Sequence, residues 1–126
     1  MVAAARDFRI VFVMAANEDE SASIAQALVE EKLAACVNVV GPVHSFYRWR
    51  GAIEKAREYM LIIKAAMRDF SKLERRVREL HSYEVPEIVA VPLAAGSRPY
   101  IAWLAESTIE AGRAFRPKVR RGSIRS

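Results

Sequence analysis

Cys36-Val37-Asn38-Val39-Val40-Gly41-Pro42-Val43-His44-Ser45-Phe46-Tyr47-Arg48-Trp49, the step Arg50-Gly51 and the run from Ile53 to Ala65 form the stretch on which the fold turns. β-Branched and aromatic residues dominate both arms, and Arg50-Gly51 offers a turn between them, so the pattern predicts a long β-hairpin. Gly41-Pro42 interrupts the first arm with a residue that has no backbone donor, which marks a bend and places that arm at a sheet edge. Each arm is about 13 residues long, some 43 Å at ~3.3 Å per residue.

Upstream of the hairpin, Arg9-Ile10-Val11-Phe12-Val13-Met14 is a short continuous apolar run, the signature of a strand covered on both faces. Asn17 and Glu20 stand at capping-box spacing, and Ile24, Ala25, Leu28, Val29 and Leu33 then recur at helical intervals, predicting a helix over roughly 18–34. Downstream, a second helix is capped by Asp69 or Ser71, carries Phe70, Leu73, Val77 and Leu80 on one face, and stops before Pro86. Residues 87–93 supply a fourth strand, and Ser97-Arg98-Pro99 opens a last helix bearing Tyr100, Trp103 and Leu104. The order βαββαβ plus a C-terminal helix predicts an α+β, ferredoxin-like sandwich: an antiparallel sheet in spatial order 4-1-3-2 with two helices on one face. The most apolar strands, one and three, take the centre, with Pro42 and Pro92 on the edges. The hairpin outgrows the first strand and the helices, so its tip projects. A two-stranded ribbon carrying Phe46, Tyr47, Trp49 and Ile53 is marginal alone in water, and a closed symmetric oligomer with each hairpin packed on a neighbour is expected.

With 126 residues, 52% apolar and 28% charged, the chain is sized and composed for one folded domain. Its net charge of +5 is local: residues 1–110 carry 14 basic and 15 acidic side chains, residues 111–126 six basic and none acidic. We assign 1–110 to the domain and 111–126 to a basic, flexible tail, which leaves the body without a reason to bind nucleic acid and the tail as the segment open to nucleic acid or another acidic partner. The aromatic signature of an RNA-recognition sheet is also missing. No apolar run reaches the ~18 residues of a membrane span, and no basic leader with an apolar core precedes the domain, so no membrane partner and a cytoplasmic location are expected. The single cysteine, Cys36, forms no intramolecular disulfide.

Catalytic patterns are absent: there is no GxSxG elbow, Walker loop or GxGxxG, and the acidic, glycine-free link Ala15-Ala16-Asn17-Glu18-Asp19 repels phosphate. Potential metal donors (Cys36, His44, Glu58, His81, Glu84, Glu87) are scattered, none at HxxxH or CxxC spacing. His81 reads first as a residue satisfying the last carbonyls of the second helix. Even so, His81-Ser82-Tyr83-Glu84-Val85-Pro86-Glu87 is the densest polar run of the body and sits at a helix-to-strand junction, where side chains converge on a cleft.

Leu33-Ala34-Ala35-Cys36-Val37-Asn38, Ser45-Phe46-Tyr47-Arg48-Trp49-Arg50-Gly51, Leu61-Ile62-Ile63-Lys64, His81 to Ile88 and Tyr100-Ile101-Ala102-Trp103-Leu104 together resemble the CutA family of divalent-cation tolerance proteins, over roughly residues 8–108. The resemblance implies a ferredoxin-like homotrimer with a role in tolerance to copper and other divalent cations. By the same resemblance Tyr47, Trp49, Lys64, Tyr83 and Glu84 line an intersubunit ligand cleft, with Glu58 and His81 as metal donors for Cu or Zn. Two positions depart from the family: Val13 stands where some members carry a cysteine associated with copper, and Ser82 replaces the proline of the HPYE motif. The expectation is a non-catalytic homotrimer that binds a divalent cation or small ligand. The alternative is a structural or signalling trimer that recognises a metabolite or protein partner.

Overall fold

The computed structural model describes residues 3–109; the assignment of 111–126 as a tail falls outside them. The elements are β1 (Phe8–Ala15), α1 (Glu18–Glu30), β2 (Cys36–Trp49), β3 (Ala52–Ala66), α2 (Phe70–Leu80), β4 (Ile88–Pro92) and α3 (Arg98–Ser107), with short 3-10 turns before β1 and α2. All pairings are antiparallel and the strand order is β2-β3-β1-β4, the predicted arrangement.

Asn17 caps α1 by accepting the Glu20 backbone N–H at 2.8 Å, while the Glu20 carboxylate reaches the N–H of Ala16, one residue before the cap. The helix ends at Glu30 rather than near 34, because Lys32 adopts a positive φ of 63° and turns Leu33 and Ala34 back toward the core. α2 begins at Phe70 without a side-chain cap from Asp69; a 3-10 turn leads the chain into the helix instead.

Strand alternation divides the sheet into two faces. Val11, Val13 and Ala15 of β1 and Leu61, Ile63 and Ala65 of β3 pack under Ile24 and Leu28 of α1 and Leu73 and Val77 of α2, all fully or almost fully buried. Each large aliphatic side chain buried there contributes about 1.5–3 kcal/mol. On the other face, Phe8 and Ala66 meet Ile101 and Leu104 of α3. α3 covers only that end. Ile10, Phe12, Met60 and Ile62 are left half-buried, and Val40, Val89 and Val91 exposed, so the two central strands are not covered on both faces within the described residues, as their apolar composition had suggested.

β2 and β3 have 14 and 15 residues, and their pairing continues from Cys36–Lys64 to Trp49–Ala52, well past the last partner of β1, Ala15–Tyr59. Arg50 and Gly51 close the ribbon with φ of 50° and 84°, the left-handed pair that a two-residue type I′ turn requires. The predicted bend is a bulge between Val40 and Val43. Gly41 is required there, because a Cβ at that position would collide with the Tyr59 ring.

Candidate functional site

Where α2 ends, the chain turns inward at His81. The imidazole does not satisfy the helix carbonyls: its Nε2–H donates to the carbonyl of Met14 in β1 at 2.7 Å, and the backbone N–H of Tyr83 donates to Nδ1 at 3.1 Å. A carbonyl only accepts, so the ring is the Nε2–H tautomer with both nitrogens engaged. The Glu20 carboxylate stands 3.4 Å from Nδ1, and the His81 side chain is wholly shielded from solvent. The α1 cap, β1 and the 81–87 segment are thereby tied together, and Tyr83 is held with its ring 4.7 Å from the imidazole.

From that position the Tyr83 hydroxyl donates to Glu58 Oε2 of β3 at 2.8 Å. Burial, and then the bond to Glu58, push the phenol's pKa up from its ordinary value, so it remains a donor wherever the protein is folded near neutrality. Glu58 is 6% exposed, which places a carboxylate at the floor of a depression. The depression has a volume of about 530 Å³, with Phe46, Tyr47, Trp49 and Tyr83 as aromatic walls, Glu58, Glu84 and Glu87 as carboxylates, and Ser45 and Val85 completing it. Among the described residues no lysine, arginine or histidine lines it. At its rim Arg50 pairs with Glu84 at 3.4 Å and lies 5.3 Å from the centre of the Trp49 ring.

Five sequence-assigned residues therefore meet in one place: Tyr47, Trp49, Glu58, Tyr83 and Glu84. Lys64 does not join them. It lies six residues farther along β3, where its ammonium bonds Asn38, itself near the Cys36 thiol. His81 is packed behind the depression and not in its wall. Phe46, Ser45, Val85 and Glu87 also line the cleft without a sequence assignment to it, although each lies within three residues of an assigned one, in one of the two motifs that build it. Among the described residues no group of three or more His, Cys, Asp or Glu side chains is arranged to hold a metal ion. None of the described helices is long and apolar enough to cross a membrane.

Fold and site together define a ferredoxin-like α+β protein whose polar side chains gather beside a projecting hairpin and not at a phosphate loop. The family model described as CutA1 divalent ion tolerance protein matches residues 9–107, and the chain belongs to that family. It is 48% identical over 99 residues to the divalent-cation tolerance protein CutA of Thermus thermophilus, covering 79% of this chain and 96% of that one. A solved structure of the divalent cation tolerance protein from Thermus thermophilus aligns with a TM-score of 0.79 at 46% identity, covering 80% and 98% of the two chains. The Archaeoglobus fulgidus structure, described as a periplasmic divalent cation tolerance protein, aligns at 0.79 and 35% identity over 81% and 99%. The chloroplastic CutA of Arabidopsis thaliana is 39% identical over 99 residues, which cover 79% of this chain and 54% of the plant protein.

Proposed function

We propose that the chain works in the cytoplasm as a homotrimeric divalent-cation tolerance protein. Each hairpin packs on a neighbouring copy, and the cleft beside Tyr83, completed across that contact, binds a divalent cation such as copper or zinc, or a small ligand, without catalysing a reaction. The observation that carries the reading is the apolar sheet face that α3 leaves open, together with an exposed ribbon on which Phe46 is 68% and Ile53 61% accessible. Apolar surface of that extent is costly in water and marks a contact with another chain. Family membership and the carboxylate-rich cleft support the cation.

A divalent cation needs several oxygen or nitrogen donors converging on one point. Glu58 and Glu84 of one copy provide a partial set, so donors from a second copy are part of the proposal. Glu58 is the donor we assign; His81, with both nitrogens engaged, positions Tyr83. Native mass spectrometry combined with calorimetric titration of Cu²⁺ and Zn²⁺ tests both halves. The expected result is the mass of three chains, with metal heats lost in Glu58→Gln and Glu84→Gln. A single-chain mass at micromolar concentration, or heats that the substitutions leave unchanged, would remove the corresponding half.

A further inference from the structure

We propose that the cleft beside Tyr83 recognises a small organic ammonium ion, held over the aromatic rings and neutralised by the carboxylates. The inference rests on the cleft being this chain's ligand site, and goes beyond that in naming a class of ligand that a bare metal ion does not represent. Four aromatic side chains form the walls, and they offer a hard divalent ion no donors beyond two phenol oxygens, one of which is already bonded to Glu58. Aromatic faces do attract a dispersed positive charge, through the negative face of the ring quadrupole. Within one copy the cleft has a volume of about 530 Å³, that of a small-molecule pocket and far larger than one ion requires.

Charge selects the sign of the ligand. Glu58, Glu84 and Glu87 line the depression with no basic residue among the described lining, and Glu58, 6% exposed with one oxygen on Tyr83, carries its charge where water screens it least. An anion would be repelled, and a neutral molecule would bring no counter-charge to Glu58 and Glu87, whereas Glu84 already has Arg50.

The chain already makes this kind of contact with its own organic cations. The Arg50 guanidinium lies over the Trp49 ring at 5.3 Å while pairing with Glu84, and Lys55 Nζ lies 5.8 Å from the centre of the Phe46 ring. Arg50 thus occupies one ring and one carboxylate that an incoming ammonium would use. It is a surface strap, its side chain 73% exposed, and it competes with the ligand.

The test uses the full chain with two probes of nearly equal shape, choline and its uncharged carbon isostere 3,3-dimethylbutan-1-ol, titrated by calorimetry and by NMR of the two indole N–H signals. Choline is expected to saturate and to shift the Trp49 signal while that of Trp103, on α3, stays fixed; the isostere should bind at least about tenfold more weakly. Trp49→Phe, which keeps a ring, should weaken choline only a few-fold. Glu84→Gln, at an exposed side chain that the fold does not need, should weaken it severalfold. Arg50→Gln should tighten it severalfold, a gain that a merely structural role for Arg50 would not produce. Equal binding of choline and the isostere, no saturation by about 10 mM choline, or an unchanged affinity in Arg50→Gln would each overturn the inference. Cu²⁺ titrated into the same samples separates the two readings. Copper heats abolished by Glu58→Gln beside silent choline would overturn the ammonium ligand and keep the cleft as a metal site, whereas silence toward both would overturn the two together.

Discussion

The hairpin is one continuous ribbon with two unlike halves. From Cys36 to Val40 and from Met60 to Ala66 it lies beside β1, with Leu61, Ile63 and Ala65 sealed under α1 and α2. From Val43 to Trp49 and from Ala52 to Glu58 the same pairing continues with no third strand of the described residues alongside it, and Phe46, Tyr47, Trp49 and Ile53 stand open. The lower half is held by the chain's own core, whereas the upper half carries the cleft and the surface proposed for assembly. Backbone pairing alone therefore does not decide which part of a sheet is stable; what covers its side chains does.

The sharpest way to break this contrast is Leu61→Ala. The side chain is fully buried, and its loss should cost about 2–5 kcal/mol, read as a lowered urea midpoint. Gly41→Ala acts at the joint between the halves. Its new methyl would collide with the Tyr59 ring, and a loss of about 1–3 kcal/mol is expected by the same measurement, with the bulge disturbed.

In the upper half, Tyr83→Phe removes the bond to the buried Glu58 and should cost about 1–2 kcal/mol at neutral pH. It also has a pH signature. Because the folded phenol's pKa is raised above its unfolded value, the unfolded chain releases that proton first. The contribution is therefore complete below about pH 10 and lost as pH rises beyond it. Denaturation midpoints measured from pH 8 upward should fall more steeply in the parent protein than in Tyr83→Phe; parallel curves would count against the buried phenol. The smallest effect belongs to Arg50→Gln. Both partners of the Arg50–Glu84 pair are about three-quarters exposed, so stability should change by less than ~0.5 kcal/mol even as ligand affinity responds.

The amino-acid pattern by itself determined the strand and helix order, the sheet topology, the hairpin with its Gly41-Pro42 irregularity and the Arg50-Gly51 turn. These follow from local rules: hydrophobic period, capping residues and turn chemistry. Tyr47 and Trp49 on one side, and Tyr83 and Glu84 on the other, were legible because each pair sits in a distinctive motif. Only the tertiary structure decided which partner each side chain finds. Lys64 shares a strand with Glu58 yet is paired with Asn38, a separation set by strand rise and register that no motif expresses. His81 turned from a helix-end residue or metal donor into the clamp between Met14 and Tyr83, because its neighbours across space come from residues 67 and 2 positions away in the chain. The open sheet face was likewise hidden in an apolar composition that fits burial by a helix or by another chain equally well. Periodicity reports that a surface must be covered, and only the packed fold shows which surface its own helices fail to reach.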